Sequence, residues 1–458
     1  MHRAPWPHLG AALLCLGVLF VRTPAPAARE SRSPQVDALF ASLEGKPAPG
    51  AAVLVVRDGA VVHRAAYGLA NVELGVPNSP ETVFRIASVT KQFTAMAILQ
   101  MSERGKLKLD DQLAPFFPDF PAAAHITVHQ VLTHTAGLPD FVSVDEAARL
   151  PLESRPGERL NYSNVGYEML GRIIEAVSGR SYEEYLAENI FRPLNMTHTG
   201  VDSRQRIIPG RAAGYQPDGK GGFSNADYSE TGKNPAAGGL YSSVDDLMRW
   251  DQALDSGTLV RPETVALAFK PATLNSGRRV GYACGWMVGA HRGLREVGHG
   301  GDISGYNAYI ARYPDQRFTV VVLSNMTMRP AGPIPPAGEL AHRIAELLLS
   351  NRMAPEQPPP DVQVDSSVLD AYVGRYRLEA PKIILQNAGD LCTFTREGNR
   401  LIGQLGPATV PLFAESDATF YSKETPARIT FIRDGAGKVT EFILVLGGVR
   451  EYRAVRLE

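Results

Sequence analysis

The chain has 458 residues, of which 44% are apolar and 21% charged. That is about three times a typical domain, and the composition excludes wholesale disorder and predicts one to three globular domains. Lys plus Arg (47) and Asp plus Glu (48) leave a formal charge of −1; with no basic run either, nothing electrostatic recommends nucleic acid or an anionic membrane as a partner.

In chain order, the first segment reads as an address. Leu9–Val21 is an apolar run of 13 residues, followed by Arg22 and then by Ala25-Pro26-Ala27. The run is shorter than the ~18 residues of a membrane-spanning helix, and an A-x-A sequence is a cleavage site. Residues 1–27 are therefore expected to be a signal peptide, and the protein to be exported, periplasmic or secreted, with no stable membrane insertion afterwards. Cys15 lies inside the apolar run behind Leu13-Leu14, which does not suit lipidation. Cleavage removes Arg3 and Arg22 and no acid, taking the formal charge from −1 to −3. Cys284 and Cys392 then remain, far apart, and read as free, buried thiols rather than a disulfide or a zinc site.

Residues 29–37 look like a mobile start. Ala51–Arg57 and Ala60–Ala66 read as two strands joined by an Asp58-Gly59 hairpin turn. Apolar spacing is helical over about 88–104, closed by Gly105, and again over 161–179, closed by Gly179. A further helix is expected behind the N-cap Ser243, with Asp245 and Asp246 capping and solvated and Trp250 in the core. Strands follow at 281–288, 305–313 and 318–324, then a helix at about 338–350. This order predicts an α/β sandwich, an antiparallel sheet flanked by helices with a helical insertion, over 35–350.

Residues 351–365, with Pro358-Pro359-Pro360, read as a linker. From 366 to 458 the pattern becomes short, alternating and turn-bounded: strands are expected at 372–378, 383–386, 391–395, 400–404, 410–414, 419–422, 428–433, 439–446 and 452–457. That is a small all-β barrel.

Three local patterns could carry chemistry. Ser88-Val-Thr-Lys91 places a hydroxyl and an amine three residues apart on one helix face, at a helix start whose N–H groups can stabilise an oxyanion. Tyr162-Ser-Asn164 opens the second helix. His299-Gly300-Gly301 falls between strands, where glycines permit close approach of another backbone. Each alone has an ordinary explanation, as a cap, a solvated lysine or a turn.

Together, in this order, they resemble the serine β-lactamase and penicillin-binding protein superfamily, in particular the class C β-lactamase-related serine hydrolases. Thr82–Lys91, Val131–Leu138, Gly238–Leu247 and Gly298–Gly301 carry the likeness, over roughly residues 35–350. The tail is similar to the lipocalin-like barrel attached to some of these hydrolases. The resemblance implies acyl transfer through Ser88 with no metal or cofactor. Lys91 or Tyr162 would be the base, and Asn164 would bond Lys91 and substrate. The oxyanion would be held by the backbone N–H groups of Ser88 and Asp302, with Gly300 and Gly301 lining the substrate site beside them and His299 helping to hold a substrate polar group. His134, near this site in the family, is expected to be structural.

The third motif departs from the usual Lys-Thr-Gly, which points away from strong β-lactam hydrolysis. The expected substrate is a small amide, peptide or ester, possibly a D-amino-acid peptide. A β-lactamase or D-Ala-D-Ala carboxypeptidase is the alternative within the class, and a non-hydrolytic acyl-binding or sensor protein the alternative outside it. The oligomeric state and the barrel's ligand are not legible.

Overall fold

The computed structural model describes residues 1–2, 31–140, 142–230, 235–328, 333–355, 360–380 and 389–457. The signal peptide expected over 1–27, beyond residues 1–2, and the strand expected at 383–386 lie outside the described residues.

β1 (Ala51–Arg57) and β2 (Ala60–Tyr67) form the hairpin, with Asp58 and Gly59 at φ 51° and 80° as a two-residue turn of positive φ requires. β1 is buried on both faces, which explains its unbroken apolar run. Ala52, Leu54 and Val56 enter one core, and Ala51, Val53 and Val55 enter the other. Across β1 from β2 lies β6 (Phe318–Ser324), and the sheet continues through β5 (Tyr306–Tyr313) and β4 (Leu294–Ile303) to β3 (Met287–His291). The six strands are antiparallel in the order β3-β4-β5-β6-β1-β2.

On one face lies the larger core, with helices α1 (Thr90–Glu103), α2 (Asn164–Ser178) and α3 (Val244–Ser256). Trp250 is in this core, 4.2 Å from Phe93 between ring centres. The other face is covered by α4 (Ala337–Leu349). The expected mobile start is corrected here. Pro34–Asp37 is a short helix, and Val36 and Phe40 are buried beneath α4's side of the sheet. Asp246 is corrected too: its carboxylate is buried and accepts from the His198 N–H, Thr199 and Arg249.

The sheet also corrects the third motif. The strand expected at 281–288 begins only at Met287, and Leu294–Ile303 is a full strand containing His299, Gly300, Gly301 and Asp302. Its glycines disguise it as a turn. They are there because other backbone comes close: a Cβ on Gly298 would lie 2.2 Å from the Ile310 carbonyl oxygen.

After the linker, α5 (Ser366–Tyr372) occupies the start of what the sequence reads as a strand. Strands β7 (Gly374–Glu379), β8 (Leu391–Glu397), β9 (Arg400–Leu405), β10 (Ala408–Ala414), β11 (Thr419–Ser422), β12 (Ala427–Arg433), β13 (Val439–Leu446) and β14 (Arg450–Arg456) close into a barrel. Tyr372, Tyr376, Phe394, Phe420, Phe431 and Phe442 fill its interior. The linker's flanks are docked rather than loose: Met353 packs under the α/β sheet and Val364 in the barrel.

Candidate active site

Ser88 sits in a 3₁₀ turn, Ala87–Val89, that leads into α1. Ala87 holds φ at +46°, a left-handed conformation that costs a residue with a Cβ on the order of 1 kcal/mol. The surroundings impose it. The Ile86 N–H donates to the Leu240 carbonyl, 3.0 Å, and the Ile86 carbonyl lies against β4. A Cβ on Gly301 would fall 2.2 Å from that oxygen, so only glycine lets the turn rest there. β3 pairs with β4 only as far as Gly298. Ser88 and residues 299–302 line one side of a cavity of about 670 Å³.

One turn into α1, Lys91 is completely buried. Its Nζ lies 3.2 Å from Ser88 Oγ, 2.8 Å from Asn164 Oδ1 and 2.7 Å from the Ala237 carbonyl. Burial pulls the lysine down to about 7, against Asp140 and Glu168, which favour the cation. The partners then decide the geometry of the neutral amine. Asn164 Oδ1 and the Ala237 carbonyl can only accept, so they take both N–H bonds. The lone pair is left for the Ser88 hydroxyl.

Asn164 is held in that orientation from behind. Its backbone N–H and its Nδ2 donate to the two carboxylate oxygens of Asp140, at 2.9 and 3.2 Å. Ser163, beside it, caps α2 by accepting from the Gly166 N–H. Glu168, one turn further along α2 and half-buried, is pushed up to about 7 by burial and by Asp140.

Tyr162 is buried and its hydroxyl bonds Ser88; burial drives its proton affinity well above the ordinary phenol value. The lysine amine lies 4.7 Å from the centre of its ring. His134 packs against Tyr162, Tyr167 and Tyr282, and its Nδ1 accepts from the Ser163 N–H. Burial, then Lys91, holds it neutral. It supports the loop that carries Tyr162.

His299 faces inward. Its Nδ1 lies 2.6 Å from the Gly300 carbonyl, which can only accept, so the proton is on Nδ1. Nε2 then accepts from the Tyr282 hydroxyl at 2.9 Å. Burial, then Lys91, lowers this histidine to about 3. Both ring nitrogens are occupied within the protein, whereas the sequence reading has this ring offer one to substrate. Asp302 is exposed, and its carboxylate accepts from the Met328 N–H.

The structure thus brings Ser88, Tyr162, His299, Gly300, Gly301 and Asp302 to one cavity, with Lys91 buried behind Ser88 and bonded to Asn164. Sequence reasoning missed Asp140, Tyr282, Val449 and Arg450. Asp140 follows the Gly137-Leu-Pro segment with no pattern of its own, and Arg450 belongs to the barrel. Cys284 and Cys392 are free and buried, each thiol raised to about 12 by burial.

Among the described residues, one group of potential metal ligands is close enough to share an ion: His291, Glu296 and His342. The two imidazoles stack face to face, centres 4.3 Å apart and planes 10° apart, so their in-plane lone pairs do not converge. Glu296 accepts from Tyr309 and pairs with His342. The arrangement is that of an ion-paired network.

A serine at a helix start, a buried lysine one turn on and a sheet strand alongside define a serine hydrolase of the β-lactamase and penicillin-binding protein type. Residues 36–346 match the Beta-lactamase family, and the chain belongs to it. Residues 358–453 match a domain of unknown function, DUF3471. The chain is 28% identical to Penicillin-binding protein 4* of Bacillus subtilis (strain 168), over 93% of this chain and 99% of that protein. Among solved structures it is similar to the octameric penicillin-binding protein homologue from Pyrococcus abyssi (TM-score 0.60, 26% identity, 92% of this chain and 99% of that one). It is also similar to SurE with D-Leu (TM-score 0.65, 26% identity, 92% and 98%).

Proposed function

We propose that this is an exported serine hydrolase that cleaves small uncharged amides or esters, including those of D-amino acids, through an acyl-enzyme on Ser88. The observation that carries the reading is the fully buried Lys91 amine 3.2 Å from the Ser88 Oγ, where burial lowers the lysine to about 7. Ser88 Oγ attacks the substrate carbonyl carbon and its proton passes to Lys91. The oxyanion is held by the backbone N–H groups of Ser88 and Asp302. Collapse of the tetrahedral species breaks the bond to the leaving group, which takes the proton from Lys91 through the Tyr162 hydroxyl. Water then attacks the acyl carbon, gives its proton to Lys91 by the same route, and the serine leaves with it.

Of the two candidate bases, the electrostatics favour Lys91. The same burial that lowers the amine raises the phenol, so Tyr162 stays protonated and acts as a relay. Neutral His299 supports uncharged substrates: it supplies no fixed positive charge for a carboxylate. The likeness to SurE with D-Leu supports D-amino-acid derivatives. The apolar run Leu9–Val21 with Ala25-Pro26-Ala27 supports export.

The test is intact-protein mass spectrometry after a fluorophosphonate or labelled penicillin. One adduct is expected on wild type and none on Ser88→Ala; equal labelling of both removes Ser88 as nucleophile. A panel of D-aminoacyl anilides, short-chain esters and a cephalosporin then ranks substrates. A cephalosporin turned over faster than every neutral substrate would replace this reading with a β-lactamase.

A further inference from the structure

The barrel touches the α/β domain where the chemistry would occur. Its β13–β14 hairpin lies alongside residues 160–162, the segment just before α2. Asn161 and Arg450 pair as an antiparallel bridge. The Tyr162 N–H donates to the Val449 carbonyl and the Glu451 N–H to the Leu160 carbonyl, both at 3.2 Å. Val449 packs against the cluster of Leu160, Tyr162 and Tyr282 and lines the cavity. The backbone that holds Tyr162 is thus stitched to another domain.

Arg450 reaches further. Its guanidinium pairs with Asp140, whose side chain is 2% exposed, and lies 5.8 Å from the centre of the Tyr162 ring. Asp140 is the carboxylate that grips Asn164 by its backbone and side-chain N–H groups, and Asn164 Oδ1 receives Lys91.

We propose that Arg450 is a positioning residue of the catalytic site, acting through Asp140 and Asn164 on Lys91, so that the site of the α/β domain is complete only with the barrel hairpin docked. The proposal rests on the reading of Lys91 as the base. Two physical effects carry it. A nearly buried carboxylate needs a buried cation; without Arg450, Asp140 is left charged and unmatched, or rearranges and releases the Asn164 amide. The second effect is on the charge around Lys91. The groups facing it are the carboxylates of Asp140 and Glu168, the Arg450 cation, the neutral imidazoles of His134 and His299, and the rings of Tyr162 and Tyr167. Arg450 is the cation among them that opposes the two carboxylates. Removing it leaves Lys91 holding its proton more tightly, with less free amine near neutral pH. Glu168, poised at about 7, titrates in the same range and adds to that pull once ionised.

The experiment uses the full chain with Arg450→Gln, Arg450→Lys and, as a control, Arg278→Gln. Arg278 pairs with Glu451 of the same hairpin and is half exposed, so its loss removes one ion pair of the hairpin while the backbone pairing with residues 160–162 and the Asp140 chain stay in place. Fluorophosphonate acylation is measured from pH 5.5 to 9.5, with melting curves alongside. For Arg450→Gln we expect the acid limb to move up in pH and the rate at pH 7 to fall roughly fivefold, the effect of about one unit in lysine affinity. Arg450→Lys keeps the charge and should show a smaller shift in the same direction; it also serves if the glutamine variant fails to fold. Arg278→Gln should leave the limb in place. A folded Arg450 variant whose pH–rate curve superimposes on wild type overturns the proposal, as does an equal shift in Arg278→Gln. A second readout needs no turnover: the NMR titration of ¹³C-labelled Lys91, assigned by its loss in Lys91→Arg, should move upward in Arg450→Gln. If Ser88 is never labelled, the hydrolase reading fails while this titration still decides the role of Arg450, an unmoved midpoint overturning it.

Discussion

The two domains bury different kinds of side chain. The α/β domain takes Lys91, His134, Asp140 and His299 out of water, next to a cavity. The barrel's core is apolar and aromatic; Phe431 alone contacts Tyr372, Phe394, Phe420 and Phe442. Buried polar groups are costly and persist where each is satisfied or functional, whereas an aromatic core serves stability. The comparison teaches where each domain's contribution lies. The α/β domain works through its interior, and the barrel through one hairpin at its rim.

That division can be broken at several points. The largest effect is expected at Lys91. Lys91→Ala should slow acylation of Ser88 by about 10²–10⁴-fold, and the wild-type rate should rise with pH through about 7 as the amine loses its proton. The sign follows from burial: a lysine lowered from its ordinary value is cationic and idle below about 7 and free above it. A flat profile between pH 5.5 and 9, or a Lys91→Ala variant as fast as wild type, contradicts the reading of this interior as chemical.

Next comes the barrel core. Phe431→Ala should destabilise the barrel by about 3–5 kcal/mol. Calorimetry should show one transition lowered and that of the α/β domain unmoved. A single transition moving as a whole would mean that the hairpin contact makes the two domains one cooperative unit.

Gly301→Ala places a methyl against the Ile86 carbonyl and should displace the Ser88 turn, lowering acylation about 10²-fold with the fold retained. Gly289→Ala, on β3 with open space at its Cβ, is the matched control and should change nothing. Equal rates for the two variants would show that the close contact of turn and strand does not position Ser88.

The smallest effect concerns specificity. His299→Lys replaces a neutral ring with a cation and should improve kcat/KM for carboxylate-bearing substrates relative to neutral ones by roughly tenfold, the difference between a charge-assisted and a neutral hydrogen bond. No change in that ratio would mean that position 299, turned toward Tyr282, does not read the substrate.

Much of this was legible from residue order. The Asp58-Gly59 hairpin, the helix closed by Gly179 and the alternation of the barrel strands all follow from local geometry. The strand Leu294–Ile303 was hidden because its composition answers to a neighbour: glycines that look like a turn are there to admit the Ile310 and Ile86 carbonyls. The early helix Pro34–Asp37 was hidden because four residues carry no period, and burial of Val36 fixes it. The solvated reading of Asp246 failed for the same reason, since its partners His198 and Thr199 come from a distant segment.

The sequence by itself determined the two-part architecture, the family and the side chains gathered at the cavity, because periodicity, turn residues and short motifs are local. It left a lysine and a tyrosine as the two candidate bases. What sets them apart is packing, since burial lowers an amine and raises a phenol. Only the tertiary structure brought Arg450 to Asp140 across 310 positions of chain. No local pattern records such a contact, because the two residues become neighbours only when the barrel docks.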